Sequence, residues 1–406
     1  MDLSRHKTLG FRVAQAVRDH ETASRAEIAR YLDVSPATVG RVADRLLSAG
    51  VLREIGPRPA KAAAAATGAA AATGVAGRPS KLLQFNPYIG SVLTIDLRET
   101  DVRAAITDFD GRVLVRLARP LTGGDTARSL AELLDLVRDL LAAPRSGPAV
   151  TSIVVGAPSI VDAEMGVVEW VPSLGWRGVA LQQLLAGEFG LDVLVENDVN
   201  LAAAGEYWKG AGRTVRHNLV FISVGSGVGA GIILNGELYR GATNAAGEIA
   251  YFITDVNVLR DNMGQIGNLE NRIGRAGLVR LAQLVAHRYP ASQLSAMLNR
   301  SEDCVDTASI LALAENGDPA AQIVYRELVN ILTIVICNAS LVLDPEMVIV
   351  GGPDHWNWTN LIAAIQAQIG SALLRPVHLA PSELGSDALI MGGAYAALGS
   401  LGALLG

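Results

Sequence analysis

The chain is poor in the residues that staple small secreted domains or hold metals. Among its 406 residues are two cysteines, Cys304 and Cys337, which form neither a metal-type spacing nor a disulfide framework. A signal-type apolar segment is missing from its start. Apolar runs such as Ile331 to Ile336 are bounded by polar residues and fall short of a membrane span. These absences lead to the expectation of a cytoplasmic protein with no membrane partner. Basic residues are scarce too, but only in one part. Up to Lys81 there are 13 Lys and Arg against 7 Asp and Glu, a balance of +6, whereas the remainder has 21 against 33, a balance of −12. A basic head suits phosphate backbones and an acidic body does not, so nucleic-acid contact is expected from the N-terminal module alone. The length and the 50% apolar content accommodate that module plus a larger unit of two lobes with a sizeable core.

What is present is most legible between Thr22 and Leu52. Ser24 and Glu27 make a capping box before Ile28, Ala29 and Leu32, which starts a helix. After the turn at Asp33-Val34, Ser35 is a second N-cap, Pro36 takes the first helical position, and Val34 can staple onto Val39. Val39, Val42, Leu46 and Leu47 mark the inner face of this helix, and Gly50 stops it. The pattern predicts a helix-turn-helix whose outer face would meet a major groove, with Ser35, Ala37, Thr38, Arg41 and Arg45 as candidate DNA contacts. An ordinary helical hairpin with a solvated face has the same pattern. Val51 to Ile55 reads as a strand and Lys81 to Phe85 as its return, which would complete a wing. The run from Ala60 to Ala76 between them is almost all Ala and reads as a loop or linker. Gly77-Arg78-Pro79 ends it, so Arg78 is either a minor-groove contact or part of a plain turn. The expected division is residues 1–59 for the head and 60–87 for wing loop and linker.

From Ser91 the pattern becomes α/β. Ser91 to Asp96, Val102 to Asp108 and Arg112 to Leu117 read as strands around a tight turn at Asp110-Gly111, followed by a helix from Ala127 to Leu141. Ser152 to Val155 and Val193 to Glu196 are further strands, and a helix from Leu201 to Trp208 follows Asn197-Asp198. Asn218 to Val224 and Gly229 to Leu234 form a hairpin around Gly225-Ser226-Gly227-Val228-Gly229. A strand follows that glycine run where a dinucleotide fingerprint needs a helix, so it is a poor Rossmann match.

Asp96 with Thr100, Gly156-Ala157-Pro158, Leu174-Gly175-Trp176, Val195 to Asn200, Gly225 to Gly231, Ala246-Gly247-Glu248, Gly264, Gly267, Leu269-Glu270 and Val348 to Gly352 occur in one order. In that order they resemble the ROK family of bacterial repressors, open reading frames and sugar kinases. The appended helix-turn-helix is similar to the branch of the N-acetylglucosamine and xylose repressors. The resemblance implies an α/β two-lobed, actin-like ATPase (ribonuclease H-like) fold behind the winged head. Its N-terminal lobe would cover 88–200 with 385–406 returning to it, and its C-terminal lobe, for effector and dimerisation, 201–384.

The departures from that pattern choose between branches. In the family's kinases the first strand ends Asp-Leu-Gly-Gly-Thr, and the two glycines let the backbone approach the ATP phosphates. Here it reads Asp96-Leu97-Arg98-Glu99-Thr100, so side chains crowd the turn and Glu99 adds a carboxylate; Arg98 compensates only if it points inward. Members commonly carry Gly-Glu-x-x-His and a Cys-x-Cys-Gly-x-x-Gly-Cys-Leu-Glu run for zinc. This chain has Tyr251, Asp261, Met263 and Asn268 at the His and three Cys positions, which leaves no tetrahedral zinc set and no expected metal or other cofactor.

By the same resemblance, Asn197 and Asp198 would hold hydroxyls on one side of a pyranose and Glu248 with Glu270 those on the other, with Tyr251 replacing a sugar-contacting His. The alternative is that these polar residues cap the helix after Asn197 or sit at an exposed loop end. The reading is a DNA-binding transcriptional regulator and not an enzyme, in the first place a repressor. A sugar or sugar-derived effector bound between the lobes would control it, and the protein would be a homodimer or dimer of dimers on a double-stranded operator. The competing readings are a sugar kinase that kept a DNA-binding head and a ligand-independent dimeric DNA-binding protein.

Overall fold

The computed structural model describes residues 8–57, 81–255, 267–300, 305–352, 358–370 and 372–401. Two compact units emerge from its contacts. Unit 1 comprises 1–155, 163–195 and 393–406, and unit 2 comprises 156–162 and 196–392. The chain passes from unit 2 to unit 1 between Gly392 and Gly393.

Unit 1 begins with three helices, Leu9–Asp19 (α1), Arg25–Leu32 (α2) and Pro36–Ser48 (α3). The Ser24/Glu27 capping box forms as expected, Asp33 ends α2 in the left-handed region, and the Ser35 side chain accepts from the Thr38 N–H at the start of α3. On α3 the fully buried residues are Val39, Ala43 and Leu46, while Val42 and Leu47 are only half-buried. This corrects the expected inner face by the i, i+4, i+7 spacing that a helical stripe requires. Ala23–Ser24 (β1), Leu52–Pro57 (β2) and Lys81–Phe85 (β3) form an antiparallel sheet in the order β1-β3-β2, with Leu52 opposite Phe85. α1, which the sequence reading passed over, packs on α2, α3 and β3.

The rest of unit 1 is built on Ser91–Leu97 (β4), Asp101–Asp108 (β5) and Val113–Pro120 (β6), an antiparallel meander. Asp108 accepts the Asp110 and Arg112 N–H groups and so closes the turn at Asp110-Gly111. The helix Thr126–Ala142 (α4) follows, capped by Asp125. The strand Val150–Ala157 (β7) leads into the short stretch 156–162 of unit 2, which holds Val161–Asp162 (β8); the hairpin Val167–Val171 (β9) and Trp176–Val179 (β10), the helix Leu181–Phe189 (α5) and the strand Asp192–Asn197 (β11), which ends at the next change of unit, follow. The larger sheet runs β11-β7-β4-β5-β6.

Unit 2 starts with the helix Asp198–Trp208 (α6) and holds a sheet of Leu219–Val224 (β12), Val228–Leu234 (β13), Glu237–Leu238 (β14), Met347–Gly351 (β15) and His378–Pro381 (β16) in the order β14-β13-β12-β15-β16. Alternation sorts its side chains. Val220, Ile222, Val224, Val348 and Val350 face a large helical core, while Leu219, Phe221, Met347 and Ile349 face α6. That core is made by Asn268–Ile273 (α7), Arg275–Ala286 (α8), Gln293–Leu298 (α9), Thr307–Glu315 (α10), Pro319–Leu343 (α11) and Trp358–Ile369 (α12). Ala388–Ala396 (α13) follows, with a 3₁₀ turn at Ala397–Leu401 after it.

Among the described residues one helix, α11, is long and apolar enough to cross a membrane, with a mean hydropathy of 1.6 over its best window. The expectation from the short run Ile331 to Ile336 understated its length. Val324, Leu328, Leu332, Val335 and Ile336 of that helix are buried in the core of unit 2.

Candidate functional site

The outer face of α3 gathers the expected head residues. Ser35, Ala37, Arg41 and Arg45 are exposed and Thr38 is half-buried, with the Ser35 and Thr38 hydroxyls 2.8 Å apart at the N-terminus. Arg25 bonds Asp44 at 2.8 Å and Glu54 at 2.9 Å, and Glu54 also takes Lys81 at 2.5 Å. Those hydrogen bonds, that of Lys81 first, hold the Glu54 carboxyl below its ordinary range. Both acidic side chains beside α3 are thus paired with basic ones. Arg78 lies outside the described residues.

In unit 2, backbone contacts draw the second set together. Gly247, at φ +91°, lies against Ala230 of β13, where a Cβ would stand 2.0 Å from the carbonyl oxygen. Gly267 lies equally close to the backbone of Ala250 and Tyr251. These two approaches bring Glu248, the turn Ile249–Tyr251 and the first residues of α7 to one place. Burial first, and then the charge of Glu270, push the Glu248 carboxyl above its ordinary range. Tyr251 is half exposed, and burial, followed by Glu248 and Glu270, raises its phenol. Two carboxylates and a phenol thus share one electrostatic environment.

The two carboxylates differ in their ties. Glu270 accepts the Val228 N–H at 3.1 Å, and its Oε2 lies where a Cβ on Gly227 would fall, 2.8 Å away. It braces the glycine turn between β12 and β13, and Arg275 donates its N–H to Gly225 and Ser226 of the same turn. Glu248 forms no side-chain hydrogen bond within its 3₁₀ turn.

Asn197 does what the structural alternative anticipated. Its Oδ1 accepts the Asn200 N–H at 3.0 Å, which caps α6, and its Nδ2 donates to the Ser159 carbonyl at 3.2 Å. Asp198 is half-buried at the first position of α6 and accepts the Val199 N–H at 2.8 Å. Behind them the buried Glu196 accepts Asn200 Nδ2 at 3.0 Å and Arg240 Nε at 2.7 Å.

In unit 1, Arg98 points inward. Its Nε and Nη2 lie 2.8 and 2.7 Å from Asp96 Oδ2, and Asp96 is buried. Burial raises the Asp96 carboxyl and the Arg98 charge offsets part of that. The guanidinium therefore occupies the polar end of β4.

The ROK family model matches residues 92–399. The chain belongs to the ROK family. Its relatives include the xylose repressor of Caldicellulosiruptor bescii, 30% identical over 343 residues that are 84% of this chain and 81% of that protein. The crystal structure of a ROK family transcriptional regulator homologous to the E. coli MLC protein superposes with a TM-score of 0.80 at 25% identity, covering 98% of this chain and 96% of the other. A ROK glucokinase from Streptomyces griseus, solved with glucose and AMPPNP, gives a TM-score of 0.65 at 27% identity and covers 75% of this chain and 98% of its own.

Within the ROK frame, the glycines of β13 have packing duties. A Cβ on Gly231 would stand 2.4 Å from Ala203 Cβ and one on Gly229 2.9 Å from Val199 Cγ2, so α6 lies directly on the sheet. The zinc frame is replaced by hydrogen bonding where it is described. Asn268, at a Cys position, is buried and accepts Thr254 Oγ1 at 3.4 Å; Arg272 bonds Thr254 at 2.8 Å and Glu327 at 2.6 Å. An amide and a phenol do not make a thiolate–imidazole donor set, so the residues present do not fit zinc. Asp261 and Met263 lie outside the described residues. Among the described residues there is no group of three His, Cys, Asp or Glu side chains placed to hold a metal.

Two polar groups escaped the sequence reading. Glu206 is fully buried and accepts Ser382 Oγ at 2.6 Å and the N–H groups of Leu384 and Ala211 at 2.9 Å. Arg18 is buried on α1. Neither lies in a motif, and Ser382 and Leu384, which Glu206 joins to α6, are far away in sequence, so spacing gives no signal for it.

Proposed function

We propose that this chain is a sugar-responsive transcriptional repressor that reads DNA through a winged helix-turn-helix formed by α1 to α3 with β1 to β3. The observation that carries it is the extent of likeness. The transcriptional regulator covers nearly all of this chain, head included, whereas the glucokinase uses up its own length on three quarters of it. α3 would enter the major groove and present Ser35, Ala37, Thr38, Arg41 and Arg45. The protein would act in the cytoplasm as a homodimer or dimer of dimers on a paired operator, without metal or cofactor.

The effector would bind at Glu248, with Asp198, Asn197, Tyr251 and Glu270 around it. Carboxylates and amides suit vicinal hydroxyls because each accepts or donates paired hydrogen bonds. Glu248 is the foremost contact, since its neighbour Glu270 is already engaged by the glycine turn. D-xylose is the first effector to try, given the repressors among the relatives. A thermal-shift screen of D-xylose, other sugars and sugar phosphates tests this, followed by anisotropy on a duplex that the protein selects from a random pool. A hit that changes affinity for the duplex supports the reading. Failure to select any duplex would remove the DNA-binding half, and sugar-dependent ATP turnover would favour the kinase reading.

A further inference from the structure

The DNA-binding head of unit 1 is attached at two places that are far apart in sequence. One is the exit of β3, where Asn86 donates its side-chain N–H to the Gly50 carbonyl at 2.9 Å and Phe85 meets Phe109 edge-on at 6.5 Å. The other is α1 against the C-terminal segment. Gln15 Nε2 donates to the Tyr395 hydroxyl, and the Arg18 guanidinium lies 4.9 Å from the centre of the Tyr395 ring. The turn Ala397–Leu401 also packs on α1, with Ala397 and Leu398 fully buried.

α1 does not need Arg18 for the head's own core, which Val13, Ala14 and Val17 supply with no exposure. The Arg18 side chain is nevertheless 2% exposed, with Asp19 at 3.7 Å and the charge of Asp110 nearby. Burying a guanidinium is costly unless an aromatic face and carboxylates compensate for the lost water. Arg18 therefore matches a surface that exists only when α1 is seated on Tyr395. A single exit at residues 86–90 would let the head turn about the chain, and a second anchor removes that freedom.

We propose that Tyr395 is a latch: it positions the DNA-binding head, and releasing it frees the head to turn without damaging α3. Tyr395 lies three residues beyond Gly392, where the chain passes from unit 2 to unit 1 inside α13. If the proposed effector site in unit 2 is real, this passage gives it a covalent route to the head. That consequence rests on the reading above; the latch itself does not.

The test uses the full chain with nitroxide labels at Ala26→Cys in the head and Ala142→Cys at the end of α4, both exposed, in a Cys304→Ser/Cys337→Ser background diluted with unlabelled protein. The distance distribution by electron double resonance should be narrow in wild type and broad in Tyr395→Ala. Tyr395→Phe, which keeps the ring and loses the acceptor for Gln15, should fall between them. An unchanged distribution in Tyr395→Ala overturns the latch, and this measurement needs no DNA. On a selected duplex with two half-sites Tyr395→Ala should bind on the order of tenfold more weakly, as expected if the competent orientation drops to about a tenth. On the same duplex with one half-site scrambled it should match wild type. Equal weakening on both would assign the loss to the head itself and overturn the proposal.

Discussion

Arg98 turns back along its own strand and binds Asp96 through two nitrogens, 2.8 and 2.7 Å from a single carboxylate oxygen. The sequence shows only that two glycines have become Arg98 and Glu99; the structure adds that the new cation is spent on the strand's own carboxylate. With side chains filling this turn, phosphate has no glycine backbone to approach. Purified protein is expected to show no sugar-dependent ATP hydrolysis or sugar phosphate formation across a hexose and pentose panel. A coupled assay with Asp198→Asn as control decides it. Turnover that needs sugar and vanishes in that variant would place the protein among the kinases.

Glu248 and Glu270 should respond differently to loss of charge. The Glu248 carboxyl is raised by burial and by Glu270, so its charged form is the one the fold disfavours. The sign follows: the penalty is absent below the ordinary value of 4.5, grows as pH rises through the raised value, and is full above it. Glu248→Gln should therefore raise Tm at pH 7 and lose that gain on acidification toward pH 4. In the same variant, effector binding should weaken by about 1.5–3 kcal/mol, roughly ten- to a hundred-fold, as a charge-assisted hydrogen bond is lost. Calorimetry with the screened effector reads the second effect. Unchanged binding would move the ligand away from Glu248.

Glu270→Gln should behave as a structural change. The carboxylate that accepts the Val228 N–H and abuts Gly227 would be exchanged for an amide whose single oxygen still accepts that N–H but without charge. A loss of about 1 kcal/mol in urea unfolding is expected, the difference between a charge-assisted hydrogen bond and the neutral one that remains. Stability equal to wild type, together with a lost effector response, would reverse the assignment and make Glu270 a ligand contact.

The parts of the fold that announced themselves were those fixed by local chemistry. Ser24 with Glu27 and Ser35 with Pro36 are start signals readable within four residues, and both helices begin where they say. Asp110-Gly111 likewise encodes its own turn. α11 gave a weaker signal: Ile334, Leu341 and Val342 are exposed, so the apolar residues of its C-terminal half do not sort into one stripe, and only a short run of it stood out. The site was half legible for a similar reason. Residue types named Asn197 and Glu270, and the Asn197 cap on Asn200 follows from local spacing, but the bond from Asn197 to Ser159 and the bracing of Val228 by Glu270 join residues that no spacing rule connects.

On α3, Arg41 is the exposed basic residue nearest the N-terminal end that a groove would admit first. Arg41→Ala should keep the wild-type Tm, because the side chain packs against nothing in the core. It should cost about 1–3 kcal/mol in binding to the selected duplex if it reads a base, with relaxed preference at one position. A uniform loss across sequences with a shallower salt dependence would make it a phosphate contact instead. Normal affinity in the folded variant would exclude it from the interface.

Glu206 is the most demanding polar group in unit 2. It has no exposure, and its two oxygens accept Ser382 Oγ and the N–H groups of Leu384, Glu383 and Ala211, joining α6 to the chain beyond β16. Removing it would leave four donors without an acceptor in a site that water reaches poorly. Glu206→Ala should therefore lower unfolding free energy by about 3–5 kcal/mol, the range for breaking a buried charged network. Glu206→Gln should cost less, because one acceptor oxygen remains. Gly210→Ala provides an independent check. Its Cβ would fall 2.0 Å from Glu206 Oε2, so the methyl group must displace the carboxylate from its donors. Urea melts of all three variants should rank Glu206→Ala as the least stable, and a wild-type midpoint in Glu206→Ala would show that the network adds nothing to the fold.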